Sequence, residues 1–307
     1  MASPKTPLRY PGGKQKIWRF IAETIHANGL EGGHYVEPYA GGAGVAMELL
    51  LSGTVSKVHL NDSCHAVFAF WHSVVNNPDE MCRRIRNASL TINEWRRQKD
   101  IYKNPEMHDK VDLGFALFFL NRCNRSGILT GGVIGGLNQS GQWKMDARFS
   151  RNELINRIER IASKKRQVKV SNLDAEKYLL QYVSKLPPET IVYCDPPYFN
   201  KADRLYANYY TPADHARLAR IIQERVNAKW IVSYDNAPAI LAHYADRRSF
   251  TYSLQYNAAS AYMGTEVFVF CDKLRMPLTS EVSAIDESLC KMMPEVAREY
   301  SPKELLF

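Results

Sequence analysis

No two cysteines in this chain stand at C-x-x-C spacing. The six, Cys64, Cys82, Cys123, Cys194, Cys271 and Cys290, are scattered over 307 residues. That spacing argues against a zinc ribbon and against a disulfide scaffold, and no metal site is expected. The thiols read as core residues of a protein in a reducing compartment. Long apolar runs are missing as well. The longest, Phe115-Ala116-Leu117-Phe118-Phe119-Leu120, is core-sized and far short of the ~18 residues of a membrane span. The opening Met1-Ala2-Ser3-Pro4-Lys5-Thr6-Pro7 has no apolar segment of the secretory kind. A soluble, cytoplasmic protein is expected, with no membrane partner. Nor is there a phosphate-binding loop around Gly12-Gly13-Lys14. The upstream glycine position is Leu8, and Gln15 replaces the Ser or Thr that magnesium needs. Internal repeats are absent.

What is present is an ordinary globular composition, 45% hydrophobic, and enough length for one sizeable α/β core with an inserted subdomain. The formal net charge is +8, and its distribution says more than its sum. Residues 81–170 carry 19 Lys and Arg against 8 Asp and Glu, an excess of +11, whereas residues 1–80 carry 6 against 7. A near-neutral first part followed by a basic middle is the electrostatic footprint of a polyanion partner. Single clusters such as Arg83-Arg84 or Lys164-Lys165-Arg166 read better as a solvated surface.

The most informative stretch is Asp195-Pro196-Pro197-Tyr198, launched from the apolar run Ile191-Val192-Tyr193-Cys194. The run reads as a buried strand. Each proline fixes φ and removes a donor, and the residue before it is pushed toward extended backbone. The product is a stiff corner holding one carboxylate, outward carbonyls and an aromatic face. Such a corner can grip a flat heterocycle bearing an exocyclic amine. The carboxylate and a carbonyl accept the amine hydrogens while the ring stacks on Tyr198. Alone, the four residues read equally well as a capped surface turn.

Two upstream segments shift that balance. His34-Tyr35-Val36-Glu37-Pro38-Tyr39-Ala40-Gly41-Gly42-Ala43-Gly44 precedes the helical run Val45–Leu51. Strand, glycine-rich loop, helix is how an open parallel sheet builds a nucleotide-type pocket. It is no dinucleotide fingerprint. Glu37 stands where the glycines would begin and would repel a pyrophosphate, so a ligand with a cationic or neutral portion fits better. Val58-His59-Leu60-Asn61-Asp62 is a second strand ending in an acid, near the ~20-residue separation expected of a ribose-binding carboxylate. Asp62 could instead cap the helix beginning near Cys64, and the two roles are compatible.

Together these segments resemble the Dam-type, alpha-group family of DNA adenine-N6 methyltransferases that use S-adenosylmethionine. The resemblance covers most of residues 5–272. Leu8-Arg9-Tyr10-Pro11-Gly12-Gly13-Lys14 is similar to the family's N-terminal cofactor segment, Glu37–Gly42 to its cofactor loop, and Asn61-Asp62 to its ribose-binding acid. Phe118-Phe119-Leu120-Asn121-Arg122 with Gly127 resembles the start of its DNA-recognition region, and Asp195–Tyr198 its catalytic motif. The chain departs from the pattern at Cys123-Asn124-Arg125-Ser126-Gly127, where the family often has an Asn-Gly pair. The resemblance therefore bears on the reaction more than on the sequence read.

It implies a Rossmann-like sheet with helices on both faces plus an inserted, mainly helical DNA-recognition subdomain. Residues 1–80 and 168–275 would form the catalytic domain, 81–167 the insert, and 276–307 an extension without assigned role. Asp195, Pro196, Pro197 and Tyr198 would be catalytic. Tyr10, Lys14, Glu37, Pro38, Tyr39, Ala40, Gly41, Gly42, Asp62 and Asp174 would hold S-adenosylmethionine, although Asp174 could instead cap a helix before Ala175-Glu176-Lys177. Arg122, Asn124, Arg125, Ser126, Asn138, Gln142 and Lys144 would meet double-stranded DNA. Arg122 could equally buttress the loop through backbone carbonyls. Trp143 reads as an anchored core residue or as a wedge.

Helices are expected over Lys16–Ala27, Asn93–Tyr102, Val111–Asn121, Arg151–Ser163 and from Thr211, with a glycine-rich hairpin or loop over Gly127–Gly141. Strands are expected at Val168–Val170, Thr190–Cys194 and Trp230–Tyr234, with an antiparallel pair over Phe250–Tyr256 and Glu266–Phe270. The absence of a Pro-Cys pair argues against cytosine-C5 chemistry, and an Asn at 195 would have pointed to a glutamine amide. RNA adenine as substrate, or a catalytically silent DNA-binding protein on the same fold, remain as alternatives. Monomer and homodimer stay open.

Overall fold

The computed structural model describes residues 5–9, 14–199, 210–257 and 261–277. Tyr10, Tyr206, Tyr209 and the 278–307 tail lie outside that set. Seven strands make one sheet: β1 (His34–Glu37), β2 (Lys57–Asn61), β3 (Val168–Ser171), β4 (Thr190–Cys194), β5 (Lys229–Asp235), β6 (Arg248–Asn257) and β7 (Ala261–Phe270). Their spatial order is β3-β2-β1-β4-β5-β7-β6. The first five run parallel, and β7 lies antiparallel between β5 and β6. Strands buried on both faces read as continuous apolar runs rather than alternating ones. That is why every residue of Thr190–Cys194 is buried.

Strand order reverses between β1 and β4. The chain walks outward from β1 through β2 to β3, then returns to the other side of β1 with β4 and β5. Ligands of open α/β sheets bind outside the carboxyl ends of the strands at such a switch point. In the β1–β4 register Val36 faces Val192. Continuing that register brings the Glu37–Tyr39 corner level with Cys194-Asp195. Two loops separated by more than 150 residues of chain are thereby set side by side.

Ten α-helices surround the sheet: α1 (Trp18–Ala27), α2 (Gly44–Ser52), α3 (His65–Asn76), α4 (Pro78–Asn87), α5 (Ile92–Lys103), α6 (Lys110–Cys123), α7 (Arg151–Ala162), α8 (Ala175–Gln181), α9 (Pro212–Arg225) and α10 (Pro238–His243), counting the described residues. The start of α9 is the expected one. Thr211 and Asp214 form a reciprocal capping box with Pro212 in the first turn.

The basic middle of the chain is helical, as its sequence suggests, yet it does not pack as a separate body. Helix α6 is buried on every side from Leu113 to Cys123, as an apolar helix without a polar face must be. It crosses α3 closely at Gly114, where a β-carbon would come within 2.8 Å of the Ala69 carbonyl oxygen and the Phe70 Cα. Phe70 and Phe118 stack across this crossing with ring centroids 6.0 Å apart. Phe149, just before α7, packs edge-on against Phe118. The buried apolar side chains of α4 to α7 and of the sheet form one continuous cluster.

Candidate active site

Asp195 leaves β4 at the switch point with four-fifths of its side chain covered. Its Oδ1 receives two donors: the Lys14 ammonium at 3.0 Å and the Ser233 hydroxyl at 2.7 Å. Among the described residues no donor bonds to Oδ2, and none bonds to the Pro196 carbonyl. Ser233 is itself oriented by the Tyr193 hydroxyl, 2.7 Å away. The loop's far end is pinned by the Phe199 amide donating to Asp235 at 2.8 Å. The corner inferred from two prolines is thus fixed at both ends.

Tyr198 is buried rather than presented to solvent. Its hydroxyl donates to Glu266 at 2.5 Å, and the Lys14 nitrogen lies 5.6 Å from its ring centroid. Glu266, on β7, is fully buried and also accepts from Lys14 and from the Tyr252 hydroxyl. Lys14 therefore bridges two carboxylates. Burial alone would lower the pKa of its ammonium, but Asp195 and Glu266 outweigh burial and raise it. Burial raises the Asp195 carboxyl despite Lys14. In Glu266 burial is outweighed by Lys14 and by the tyrosine hydroxyls, and the carboxyl is held below its ordinary value. Both carboxylates ionised around one ammonium make a cluster of net charge −1.

The sequence did not single out Ser233, Tyr252 or Glu266, which stand around Asp195 together with Lys14, a residue expected at the cofactor pocket. Glu266 sits in Thr265-Glu266-Val267-Phe268, where an acid inside an otherwise apolar strand was the available signal. A buried acid has to be partnered.

The glycine loop is held just as firmly. Asp62 accepts from the Gly41 amide at 2.8 Å and from the Cys64 amide at 2.9 Å. It therefore pins the glycine loop to the turn that leads into α3, whose N-cap is Cys64. Burial lifts its carboxyl to about 6, against the pull of those two amides. The Gly41 carbonyl takes the Trp71 indole N–H at 2.9 Å, and its φ of +44° is left-handed backbone that a glycine tolerates. Ala40 donates to the Asn61 carbonyl at 2.8 Å. Asn61 itself, fully buried, ties the ends of three strands by donating to the Pro38 and Leu173 carbonyls at 3.1 and 2.9 Å. Tyr39 reaches across to Tyr210, hydroxyl to hydroxyl at 3.0 Å. Gly42 accepts from the Thr6 hydroxyl at 2.6 Å.

Glu37 is buried and turned toward α2. One oxygen accepts from Tyr35 at 3.0 Å and from the Ala46 amide at 3.2 Å. Burial pushes its carboxyl to about 8 from an ordinary 4.5. A carboxyl raised on folding holds its proton more tightly in the folded chain. Its contribution to stability is complete below about 4.5 and is lost as the pH rises through about 8. Over that window the slope approaches ~1.4 kcal/mol per pH unit. Glu37→Gln keeps an oxygen for Tyr35 and Ala46 and removes the titration. Urea midpoints should then change less between pH 6 and pH 9 than in the parent; equal changes would deny that Glu37 is protonated.

Several sequence assignments are corrected. Arg122 does not reach the surface; it is 7% exposed and donates twice to the Pro7 carbonyl. Burial, then the neighbouring Arg157 and Arg9, lower its guanidinium to about 9. Asn124 is fully buried, accepting the Trp95 indole N–H at 2.7 Å and donating to the Ile128 and Leu129 carbonyls at 2.8 and 3.0 Å. Both point inward in this arrangement, bonded to backbone carbonyls and, for Asn124, to the Trp95 indole as well. Asp174 is an exposed cap of α8, accepting from the Lys177 amide at 3.1 Å. No hairpin ladder forms over Gly127–Gly141; one isolated bridge joins Asn124 to Val133, and the rest is turns and short 3-10 segments. Trp143 is not a core residue but 67% exposed, and Leu137, six residues earlier, is 55% exposed. Arg125, Asn138, Gln142 and Lys144 are exposed on the same turns, and Ser126 is half-buried.

A family model for D12 class N6 adenine-specific DNA methyltransferases matches residues 10–259. The chain belongs to this family. As a member, it methylates adenine N6 in DNA. A curated relative, the Type II methyltransferase M.MjaIII of Methanocaldococcus jannaschii, is 27% identical over 235 residues, covering 71% of this chain and 78% of its own. Among solved structures, the rRNA methyltransferase AviRa of Streptomyces viridochromogenes shares 12% identity over 89% of each chain, with a TM-score of 0.38. A protein of Legionella pneumophila also shares 12%, covering 92% of this chain and 94% of its own at a TM-score of 0.37. Likenesses that loose carry no argument; the sheet order stands for the methyltransferase fold without them. A methyl donor of the S-adenosylmethionine type goes with the family. Among the described residues no helix is long and apolar enough to cross a membrane, and no three His, Cys, Asp or Glu side chains converge as a metal set.

Proposed function

We propose that Asp195-Pro196-Pro197-Tyr198 is the reaction centre for methylation of an extruded adenine, with S-adenosylmethionine as donor. The observation that carries this is the half-occupied carboxylate. Lys14 and Ser233 load Oδ1 of Asp195, while Oδ2 and the Pro196 carbonyl are left to accept. Adenine N6 is a poor nucleophile because its lone pair is delocalised into the ring. Two acceptors on its two N–H bonds orient the lone pair outward and favour a tetrahedral nitrogen. Positive charge then grows on N6 beside a pre-set cluster of charge −1, which is electrostatic stabilisation in a site that need not reorganise.

The donor supplies a methyl group on a cationic sulfur, which needs neither metal nor covalent intermediate. The residues present suit it. Pro38 to Gly42, with Asp62 at the end of β2, line the carboxyl edge of the sheet beside Asp195, and the cluster of charge −1 around Lys14 favours a cation. In this reading Lys14 belongs to the reaction centre. Asp62 would take the ribose hydroxyls, and Tyr10 would join the pocket from outside the described residues. Asp62→Ala should weaken S-adenosylmethionine binding about 10- to 100-fold, roughly 1.4–2.8 kcal/mol, with duplex affinity within twofold. Calorimetry showing unchanged cofactor affinity removes Asp62 from the pocket.

The DNA face would be the exposed turns of residues 125–148. Arg125, Ser126, Asn138, Gln142 and Lys144 suit base edges and phosphates. Trp143 and Leu137 suit an apolar wedge that helps offset the few kcal/mol of unstacking and unpairing a base. By likeness to the Type II relative, the enzyme would protect DNA from a partner restriction endonuclease. Its unpaired, largely buried thiols suit the cytoplasm. The test is transfer of tritiated methyl from S-adenosylmethionine to several unrelated duplexes, RNA and protein, followed by nucleoside analysis. Label in N6-methyladenine of DNA is expected. Label confined to RNA or protein, or on none of them, defeats the proposal.

A further inference from the structure

Glu266 has no part in the proposed grip on adenine, yet three side chains of the site, Tyr198, Lys14 and Tyr252, are fastened to it. It is fully buried on the antiparallel strand β7. One oxygen takes the Tyr198 hydroxyl at 2.5 Å; the other takes the Lys14 ammonium and the Tyr252 hydroxyl. β7 register sets Glu266 opposite Asp235 on β5 and Tyr252 on β6. The groups facing this cluster are Lys14 from the N-terminal turn, Asp195 and Tyr193 from β4, Ser233 from β5, Tyr252 from β6 and Tyr198 from the corner itself. Glu37 on β1 is within electrostatic range of Asp195.

A lone Lys14 facing Asp195 could swing across both carboxylate oxygens and neutralise the acceptor the amine needs. A second carboxylate on Lys14's other side prevents this. It draws the ammonium away, restricts it to Oδ1, and restores the negative charge that Lys14 would cancel. The same carboxylate ties the Tyr198 hydroxyl, so the ring at the corner cannot rotate out of line. We infer that Glu266 is a positioning residue for methyl transfer, holding Lys14 and Tyr198 so that Asp195 keeps one oxygen open and anionic. This rests on the reaction centre proposed above. It goes further by assigning a role to the antiparallel strand of the sheet.

The test is Glu266→Gln, which keeps size and an oxygen for Tyr198 but loses the charge. Single-turnover methyl transfer should fall about 10- to 100-fold, with KM for DNA and for S-adenosylmethionine within twofold. Removing a like charge from beside Asp195, and a counter-charge from Lys14, lowers the pKa of both. Both limbs of the pH–rate profile should therefore move to lower pH. A merely structural loss would lower the rate equally at every pH and leave the limbs in place. Glu266→Asp restores the charge with a carboxylate too short to reach both partners. Its limbs should return to the parental positions with the rate still reduced. If Glu266→Gln does not fold, Glu266→Asp carries the test through its rate. Parental rates in a folded Gln or Asp variant, or a uniform loss without moved limbs in Glu266→Gln, overturn the inference. A parent protein that transfers no methyl to DNA indicts the reaction centre instead.

Discussion

Asp195→Ala should abolish methyl transfer, by about 10³-fold or more, while duplex binding stays within a factor of two. Losing a single pre-set electrostatic contact in an active site typically costs 10²–10³ in rate. This substitution removes both the acceptor for the amine and the anion beside the developing charge. The protein should still fold. Lys14, stripped of Asp195, keeps Glu266 as a buried counter-ion, so no uncompensated charge is created. Gel-shift affinity and single-turnover rates on one preparation separate the outcomes. Retained transfer, or loss of binding and folding together, would remove Asp195 from its role.

Asn121→Ala should destabilise the chain by roughly 3–5 kcal/mol and loosen both ends of the site at once. Asn121 is buried. Its oxygen accepts from the Arg9 amide at 2.7 Å, and its nitrogen donates to the Arg9 carbonyl and to the Gly127 carbonyl at 3.1 Å. Truncation leaves three backbone groups unpaired, each costing about 1–3 kcal/mol when buried, with partial relaxation expected. The side chain joins the segment leading to Lys14 with the first turn of the proposed DNA face. Urea unfolding reads the loss. An Ala variant within 1 kcal/mol of the parent would show that water or a backbone shift satisfies these groups.

Asn121, Arg122 and Asn124 show what the sequence conveyed and what it withheld. Strand, glycine loop and helix were legible because periodicity and glycine placement are local signals. The Asp195 corner was legible because two prolines constrain it whatever surrounds them. Polar residues after an apolar helix look like contacts, since most polar side chains are exposed. Here the helix is buried from Leu113 to its end, so the polar residues at that end are buried too and bind mainly backbone. The same blindness hid Glu266, whose partners lie 14 to 252 residues away in sequence. Trp143 failed in the opposite direction. A large aromatic belongs in a core unless tertiary structure leaves it outside, and nothing local marks that case.

The close crossing at Gly114 bears on how specificity could be changed. Because α6 shares its interior with α3, exchanging the entire central segment for that of a cousin would demand matching interiors on both sides of the join. Grafts of that size should misfold more often than they retarget. The turns between Arg125 and Arg148 sit on that foundation without forming part of it, apart from a few anchors such as Val133 and Met145. On the proposed placement of the DNA face, new targets are best sought by randomising those outward-facing positions and leaving the scaffold beneath them alone.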